Sequence, residues 1–199
     1  MRVKTDAKRR EIVDTAWEVF RAKGFEGASM SDVAERFGGS KATLYRYYSS
    51  KEELFAAALQ QTLEEQGDDA FKKVSREGGA LRDRLMEFAD AYLKFRLTPE
   101  MIGVHRLMIA SAERSDLSAV LRAELIDPHW RRFAEVLERE MALGHLRKAD
   151  PYLTGIHFRG LVEADVLERR INGERFVTNA QVETAVEQGV EAFLRAYAP

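Results

Sequence analysis

Cysteine is absent from this chain of 199 residues. Without thiols the protein can form neither a disulfide framework nor a thiolate metal site, which suits a reducing compartment. Prolines number only four, and no run of eighteen apolar residues occurs, so no segment is long and apolar enough to span a membrane. The first ten residues are polar and basic, unlike a secretion signal. These absences predict a cytoplasmic protein with no membrane partner.

The sequence also lacks the residue patterns of common catalytic and metal sites. None of its four histidines pairs with another at metal-ligand spacing, and neither a His-Glu-x-x-His run nor a glycine-rich phosphate loop is present. We therefore expect no metal site, no cofactor and no enzymatic activity.

The patterns that are present favour helices throughout. Apolar residues recur at spacings of three and four, strand-like alternation is missing, and an apolar content of 45% is enough for a full core. We predict an all-α fold of about nine helices. It would consist of a three-helix N-terminal domain over residues 1–51 and a larger helical domain over residues 52–199.

Charge divides the chain at the same place. Residues 1–51 hold eleven Lys and Arg against seven Asp and Glu, a net of +4, whereas the remainder carries a net of −6. A basic head on an acidic body is the distribution expected if only the head meets a polyanion such as DNA.

Two short helical patterns in the basic head meet at the pair Gly38-Gly39. Each opens on an N-cap serine, Ser29 or Ser40, and Asp32 completes a pair like a capping box with Ser29. This layout is typical of a helix-turn-helix, whose second helix enters the major groove of DNA.

The second of these helical patterns is polar on one side and apolar on the other. Leu44 and Tyr48, four residues apart, are expected to face the core. Hydroxyl groups suit phosphate contacts, and cations suit phosphates or guanine edges. By residue type, the DNA-contacting candidates are Lys41, Thr43, Tyr45, Arg46 and Tyr47, with Lys51 at the next helix start. The alternative is an ordinary helical hairpin with half-buried tyrosines.

The segment Ser40-Lys41-Ala42-Thr43-Leu44-Tyr45-Arg46-Tyr47-Tyr48 is followed by Ser50-Lys51-Glu52-Glu53-Leu54-Phe55. Together with the segment Gly24–Ala34, it resembles the DNA-binding domain of TetR/AcrR-family transcription regulators. The resemblance covers about residues 8–55. It is specific because both motifs occur together at the family's spacing. Gly39 departs from the pattern, since the family usually has valine or another apolar residue there.

The resemblance implies a homodimer that binds double-stranded DNA at a palindromic operator. It also implies a repressor released by a small, largely apolar effector. In that family pattern Lys41 and Ala42 face base edges, whereas no base is assigned to Arg46. The full set of implied DNA-binding residues is Ser29, Ser40, Lys41, Ala42, Thr43, Tyr45, Arg46, Tyr47 and Lys51.

For the larger domain, the resemblance implies a ligand pocket and a dimer interface formed by the last two helices. Aromatic and methionine side chains suit an apolar ligand. The predicted pocket residues are Phe88, Tyr92, Phe95, Met101, His105, Met108, Trp130, Phe133 and Phe158. The predicted interface residues are Ile156, Gly160, Ala164, Leu167, Val182, Val186, Val190, Phe193 and Tyr197. Either set could instead be core packing, and we expect Glu163 to pair with an arginine.

Two alternative functions remain open from the sequence. One is a DNA-binding dimer that is regulated without a small-molecule ligand. The other is a helical carrier or enzyme in which the helix-turn-helix pattern is accidental. A cavity in the body would disfavour the first, and failure to bind genomic DNA would favour the second.

Overall fold

The computed structural model describes residues 2–76, 78–113 and 116–199, without the side chains of residues 2–5 and 62–69. Part of the predicted basic N-terminus, residues 1–5, therefore lies outside the described side chains. Within the described residues the fold is all-α, as predicted, with ten α-helices rather than about nine, and no strand. The helices are α1 (Arg2–Gly27), α2 (Met30–Phe37), α3 (Lys41–Tyr45), α4 (Lys51–Ser75), α5 (Leu81–Arg96), α6 (Pro99–Ser111), α7 (Leu117–Leu121), α8 (Asp127–Ala142), α9 (Pro151–Ile171) and α10 (Asn179–Tyr197).

The chain forms two compact units. The first comprises Met1–Glu64 and Leu107–Leu125, and the second comprises Glu65–Arg106 and Ile126–Pro199. The predicted domain boundary after residue 51 falls at the start of α4, a helix that contributes residues to both units. The assignment of separate functions to residues 1–51 and 52–199 stays a prediction.

Three phenylalanine rings form the centre of the first unit. Gly24 breaks α1 with φ 70° and ψ 166°, a conformation that glycine adopts without a Cβ clash. The break turns Phe25 back against Phe20 and Phe55, with ring centroids 6.0 and 5.0 Å away. Phe25 is 6% exposed as a result.

Helix α2 begins with the predicted pair of capping residues. The Ser29 side chain accepts from the Asp32 backbone N–H at 3.2 Å, and Asp32 accepts from the Ser29 backbone N–H at 2.8 Å. Hydrogen bonds from Lys23 and Ser29 hold the pKa of Asp32 well below its ordinary value. Local hydrogen bonding of this kind fixes the start of α2 without distant contacts.

The turn between α2 and α3 accounts for the departure at Gly39. Gly38 ends α2 in the left-handed conformation, with φ 72°. A β-carbon at position 39 would lie only 2.8 Å from Cδ1 of Phe37. The Phe37 ring thus fills the space that a valine side chain would need.

The second unit packs α5, α8, α9 and α10 around a phenylalanine-rich core. Phe88, Phe133, Phe158 and Phe193, one from each helix, are fully buried. Helices α9 and α10 approach each other closely at Gly189. A β-carbon added there would lie 2.8 Å from the Leu161 carbonyl oxygen.

A buried ion pair joins α5 to α8 in the same unit. Arg84 donates to Glu140 at 2.7 Å, and both side chains are almost fully buried. The second carboxylate oxygen of Glu140 lies 2.7 Å from Nδ1 of His145. Burial raises the pKa of Glu140, but the hydrogen bonds from His145 and Arg84 outweigh it, so the pKa is lowered.

A proline or a capping side chain marks the start of each of the last three helices. Pro128 lies in the first turn of α8, which directly follows a π-helical turn at Arg122–Ile126. Asp150 caps α9 through the Leu153 N–H at 2.6 Å, and Thr178 caps α10 in a capping box. Across the described residues, no helix is both long and apolar enough to cross a membrane.

Candidate nucleic-acid interface

Helix α3 is held to the first unit by two residues. Leu44 is fully buried and Tyr48, just after the helix, is 4% exposed, so the predicted core face is confirmed. Tyr45, on the other side, is 53% exposed. A short helix anchored in this way leaves most of its surface for contact with another molecule.

The exposed side of α3 gathers the polar residues that the sequence singled out. Lys41, Ala42 and Arg46 are exposed, and Thr43 and Tyr47 are half-buried. The helix ends at Tyr45, and residues 46–47 form a turn rather than the predicted continuation to residue 48. The turn keeps Arg46 and Tyr47 beside the helix, so the predicted DNA contacts remain grouped.

Ser40 serves α3 as its N-cap. Its hydroxyl oxygen accepts from the Thr43 backbone N–H at 3.1 Å and lies 3.0 Å from the Thr43 hydroxyl. The predicted capping role is thus confirmed. Whether Ser40 also touches DNA remains a prediction.

Lys51 occupies the other end of this surface and has partners inside the protein. Its ammonium group donates to the carbonyl oxygens of Phe25 and Ala28 at 2.9 and 3.2 Å and lies 4.2 Å from the Phe25 ring centre. An ammonium has three N–H donors, so one stays available for the predicted phosphate contact. Ser29, which follows Ala28 in the connection between α1 and α2, is exposed.

Most of the side chains predicted for the dimer interface face inward. Six of them, Leu167, Val182, Val186, Val190, Phe193 and Tyr197, are at most 6% exposed. All but Leu167 belong to the hydrophobic core of the second unit. These six side chains therefore offer little surface to a partner within the folded protomer, and the dimer interface itself stays a prediction. Ile156 is half-buried, and Gly160 and Ala164 are exposed.

All but one of the residues predicted for the pocket belong to the second unit. Phe88, Phe133 and Phe158 pack on one another with ring centroids 4.7 to 5.9 Å apart. Tyr92 and Trp130 meet edge to face at 5.4 Å. The half-buried Phe95, Met101 and His105 also belong to the second unit, whereas Met108 belongs to the first. Their role in binding a ligand stays a prediction.

A set of hydrogen-bonded polar side chains lies beside Trp130, and we call it the Glu163 cluster. It consists of Tyr92, Arg96, His105, Arg159 and Glu163. One oxygen of Glu163 accepts from Tyr92 at 2.5 Å and from Arg96 at 3.1 Å, and the other accepts from Arg159 Nε at 3.1 Å. The expected pairing of Glu163 with an arginine is confirmed.

His105 joins this cluster through a hydrogen bond between its Nδ1 and the Arg96 guanidinium. Burial and the charge of Arg96 both lower the pKa of His105. Sequence reasoning missed both arginines. The spacing of Arg159 and Glu163, four residues apart on one helix, was a usable signal, but nothing local connects Arg96 to Glu163. Among the described side chains, no group of His, Asp and Glu could hold a metal ion.

Comparison with known proteins places these features in a family. The AefR-like transcriptional repressor C-terminal domain matches residues 83–199, and the N-terminal domain of the bacterial tetR-family regulatory proteins matches residues 12–58. The chain belongs to the TetR family. The TetR-family domain at residues 12–58 includes α2, α3 and the connection to α4, so the helix-turn-helix is a DNA-binding domain and the protein is a transcriptional regulator.

Solved structures of other proteins share the whole fold. A TetR-family regulator from Mesorhizobium loti MAFF303099 is 26% identical, has a TM-score of 0.81, and aligns over 98% of each chain. The Flavonoid-responsive Regulator FrrA is 27% identical, has a TM-score of 0.76, and also aligns over 98% of each chain.

A curated relative matches over a short stretch of the chain. The HTH-type transcriptional regulator YfiR of Bacillus subtilis is 42% identical over 60 residues, which is 30% of this chain and 29% of YfiR. The chain thus covers less than a third of that relative's length. The likeness concerns that stretch and not the rest of either protein.

Proposed function

We propose that this TetR-family regulator is a homodimeric repressor. It would bind a palindromic operator through α3 and be released by a small, largely apolar ligand. The observation that carries the proposal is the two-sided α3, on which Leu44 and Tyr48 are buried while Lys41 and Tyr45 are exposed. Ligand release is supported by the similarity to FrrA, a regulator described as responsive to flavonoids.

The proposed DNA contacts divide by chemistry. Lys41 and Ala42, in the first turn of α3, would face base edges in the major groove, because N-terminal residues of a recognition helix contact bases. Hydroxyl and ammonium groups around them would bind phosphates and fix the orientation of the helix. The phosphate-contacting group comprises Ser29, Ser40, Thr43, Tyr45, Tyr47 and Lys51, and Arg46 lies beside it with no base assigned.

The proposed dimer interface uses the outer surface of α9 and α10. A groove of about 400 Å³ there is lined largely by small or polar residues. Small side chains let helices from two subunits pack closely into a four-helix arrangement. The proposed contacts are Ile156, Gly160, Ala164, Ala180, Thr184 and Gln188.

The proposed release mechanism depends on α4. This helix begins at Lys51 in the first unit and ends at Ser75 in the second. A two-fold dimer reads successive major grooves only when its recognition helices are about 34–36 Å apart. A ligand that binds more tightly when α4 takes a different position would favour another distance between the two recognition helices. Affinity for DNA would then fall by the ratio of the ligand's affinities for the two states.

Selection of bound fragments from random genomic DNA, followed by footprinting, tests the proposal. We expect a palindromic site and binding that weakens when a suitable compound from a library of small apolar molecules is added. Affinity for the operator, measured by fluorescence anisotropy, gives the size of the effect. Equal affinity with every compound would support the alternative of a dimer regulated without a small-molecule ligand, and no bound fragment would reject DNA regulation altogether.

Repression itself needs a separate readout. With the operator placed upstream of a reporter gene, expression should fall when the regulator is supplied and recover when it is removed. Expression that rises with the regulator would indicate an activator.

A further inference from the structure

The Glu163 cluster carries one more positive charge than it can balance internally. Arg96 and Arg159 are cationic, and Glu163 is their shared carboxylate. Tyr92 stays neutral, because burial and Glu163 raise its pKa, and the lowered pKa of His105 keeps the imidazole neutral. A partly buried site with a single excess positive charge favours a monoanion over a neutral molecule or a dianion.

Arg159 is the member of the cluster best placed to bind that anion. Its side chain is 28% exposed, whereas that of Arg96 is 10% exposed. Arg96 uses all three guanidinium nitrogens, on Glu163, the Met101 carbonyl oxygen and His105. Within the described part of the chain, Arg159 hydrogen bonds only to Glu163 and only through Nε. Its two terminal nitrogens therefore remain available as a fork.

Aromatic side chains surround this guanidinium. The Arg159 Cζ atom lies 5.9 Å from the Trp130 ring centre, and Tyr92 meets the same indole edge to face at 5.4 Å. Tyr152 also lies within electrostatic range of Arg159. Aromatic rings pack well against other rings, so an anion bound here would be attached to a flat apolar body.

Asp127 and Arg131 are the charged groups in contact with Tyr152, and together they add no net charge. Tyr152 donates to Asp127 at 3.1 Å, and the Arg131 guanidinium lies 5.7 Å from the Tyr152 ring centre. Because these two side chains carry opposite charges, the excess charge of the Glu163 cluster remains for a ligand to neutralise.

We propose that Arg159, framed by Trp130 and Tyr92, binds the carboxylate of an aromatic carboxylic acid. The two terminal nitrogens of Arg159 would donate in parallel to the two carboxylate oxygens, a geometry that arginine matches and lysine does not. The ring of the acid would lie against the exposed side of Arg159, next to the edge of Trp130, which is itself 4% exposed. This inference rests on the proposed ligand response and assigns the chemical class of the effector.

Calorimetric titration of the full-length protein tests the assignment with trans-cinnamate and benzoate as probes. We expect both acids to bind, and their amides, trans-cinnamamide and benzamide, to bind at least about 10-fold more weakly. Arg159→Gln should weaken binding of the acids by a similar factor and leave the amides unchanged. Arg159→Lys should retain only part of the affinity. Arg195→Gln, which removes an exposed arginine of α10, is the matched control and should bind like the unaltered protein.

The comparison of acid with amide needs no variant, so it decides the question even if Arg159→Gln fails to fold. Equal binding of acid and amide, no binding of either acid at 5 mM (roughly the limit of weak ligand recognition), or undiminished binding to a folded Arg159→Gln would overturn the inference. Measuring operator release separates a failure of the carboxylate assignment from a failure of the proposed function. Cinnamate that binds through Arg159 without weakening operator binding contradicts ligand release alone. Release by a neutral compound that is independent of Arg159 contradicts the carboxylate assignment alone.

Discussion

Gly189 sets the distance between the two helices that form one side of the second unit. Its neighbours at the closest approach are backbone atoms of α9, the Leu161 carbonyl oxygen and the Val162 Cα. Backbone cannot rotate away as a flexible side chain can, so any larger residue must push the helices apart. The place of this glycine in the fold is thus fixed by sterics rather than by backbone conformation.

We expect Gly189→Ala to lower the free energy of unfolding by about 1–3 kcal/mol, the usual cost of forcing a methyl group into a packed core. Gly103→Ala is the matched control, because Gly103 is exposed in α6 and a β-carbon there meets no atom within 4 Å. It should raise the free energy of unfolding by about 0.5–1 kcal/mol through helix propensity. Urea denaturation of both variants measures the difference. Equal effects of the same sign would mean that the α9–α10 contact tolerates a methyl group.

Residues whose structure depends on near neighbours were predictable from the sequence. Ser29, Ser40 and Thr178 cap their helices as expected, because each bonds to a backbone group three positions away. The ion pair between Arg96 and Glu163 joins residues 67 positions apart. No local pattern in the sequence encodes such a pair, so the hydrogen bonds of the Glu163 cluster could be identified only from the folded structure.

At the scale of a helix, the apolar stripe of α10 shows what periodicity can and cannot decide. The spacing of Val182, Val186 and Phe193 correctly predicts one buried face. It does not identify the surface that buries that face, since a protomer's own core and a partner subunit require the same pattern. In this chain the apolar face of α10 packs into the protomer's own core. The opposite face of α10, which carries Ala180 and Thr184, is the one we propose for the subunit interface.

Helix α3 yields a prediction of its own about DNA. Lys41→Gln removes the side chain proposed to face a base edge, so we expect weaker binding to the selected operator and less preference for it over unrelated DNA. Because the proposed phosphate contacts are unchanged, the slope of log affinity against log salt concentration should stay close to that of the unaltered protein. Filter binding or anisotropy at several salt concentrations measures this slope.

The control for that experiment is Lys94→Gln. Lys94 is exposed on α5, where it pairs with Asp90 at 2.8 Å, and its replacement changes the net charge by the same amount. Its salt slope should match that of the unaltered protein. A slope that becomes shallower by about 0.9 after Lys41→Gln would mean that Lys41 contacts a phosphate rather than a base edge.

For the whole molecule, the proposed subunit contact predicts a change of oligomeric state. Thr184→Arg places a long cation in the groove between α9 and α10, so we expect sedimentation velocity to show a monomer that retains helical content. Glu138→Arg, on an exposed position of α8, should leave the dimer intact. A Thr184→Arg protein that still sediments as a dimer would place the contact elsewhere.

The dimer prediction also has a consequence for operator binding. Two heads bound to one duplex gain affinity from their connection, because the second head binds at a high effective concentration. A folded Thr184→Arg monomer should therefore lose most operator affinity although its α3 is unchanged. Buried positions such as Phe193 are unsuitable for this test, since a charge there would unfold the second unit.

The two hydrogen bonds from Lys51 to the carbonyl oxygens of Phe25 and Ala28 affect how motion is transmitted. They attach the first residue of α4 to the chain segment that leads into α2. A rotation of the N-terminal end of α4 would therefore move α2 and α3 together with it, without a hinge between α4 and the helix-turn-helix. Acetylation of Lys51, or its replacement by methionine, would loosen that coupling, so a bound ligand would change operator affinity less, in addition to the affinity lost with the proposed phosphate contact.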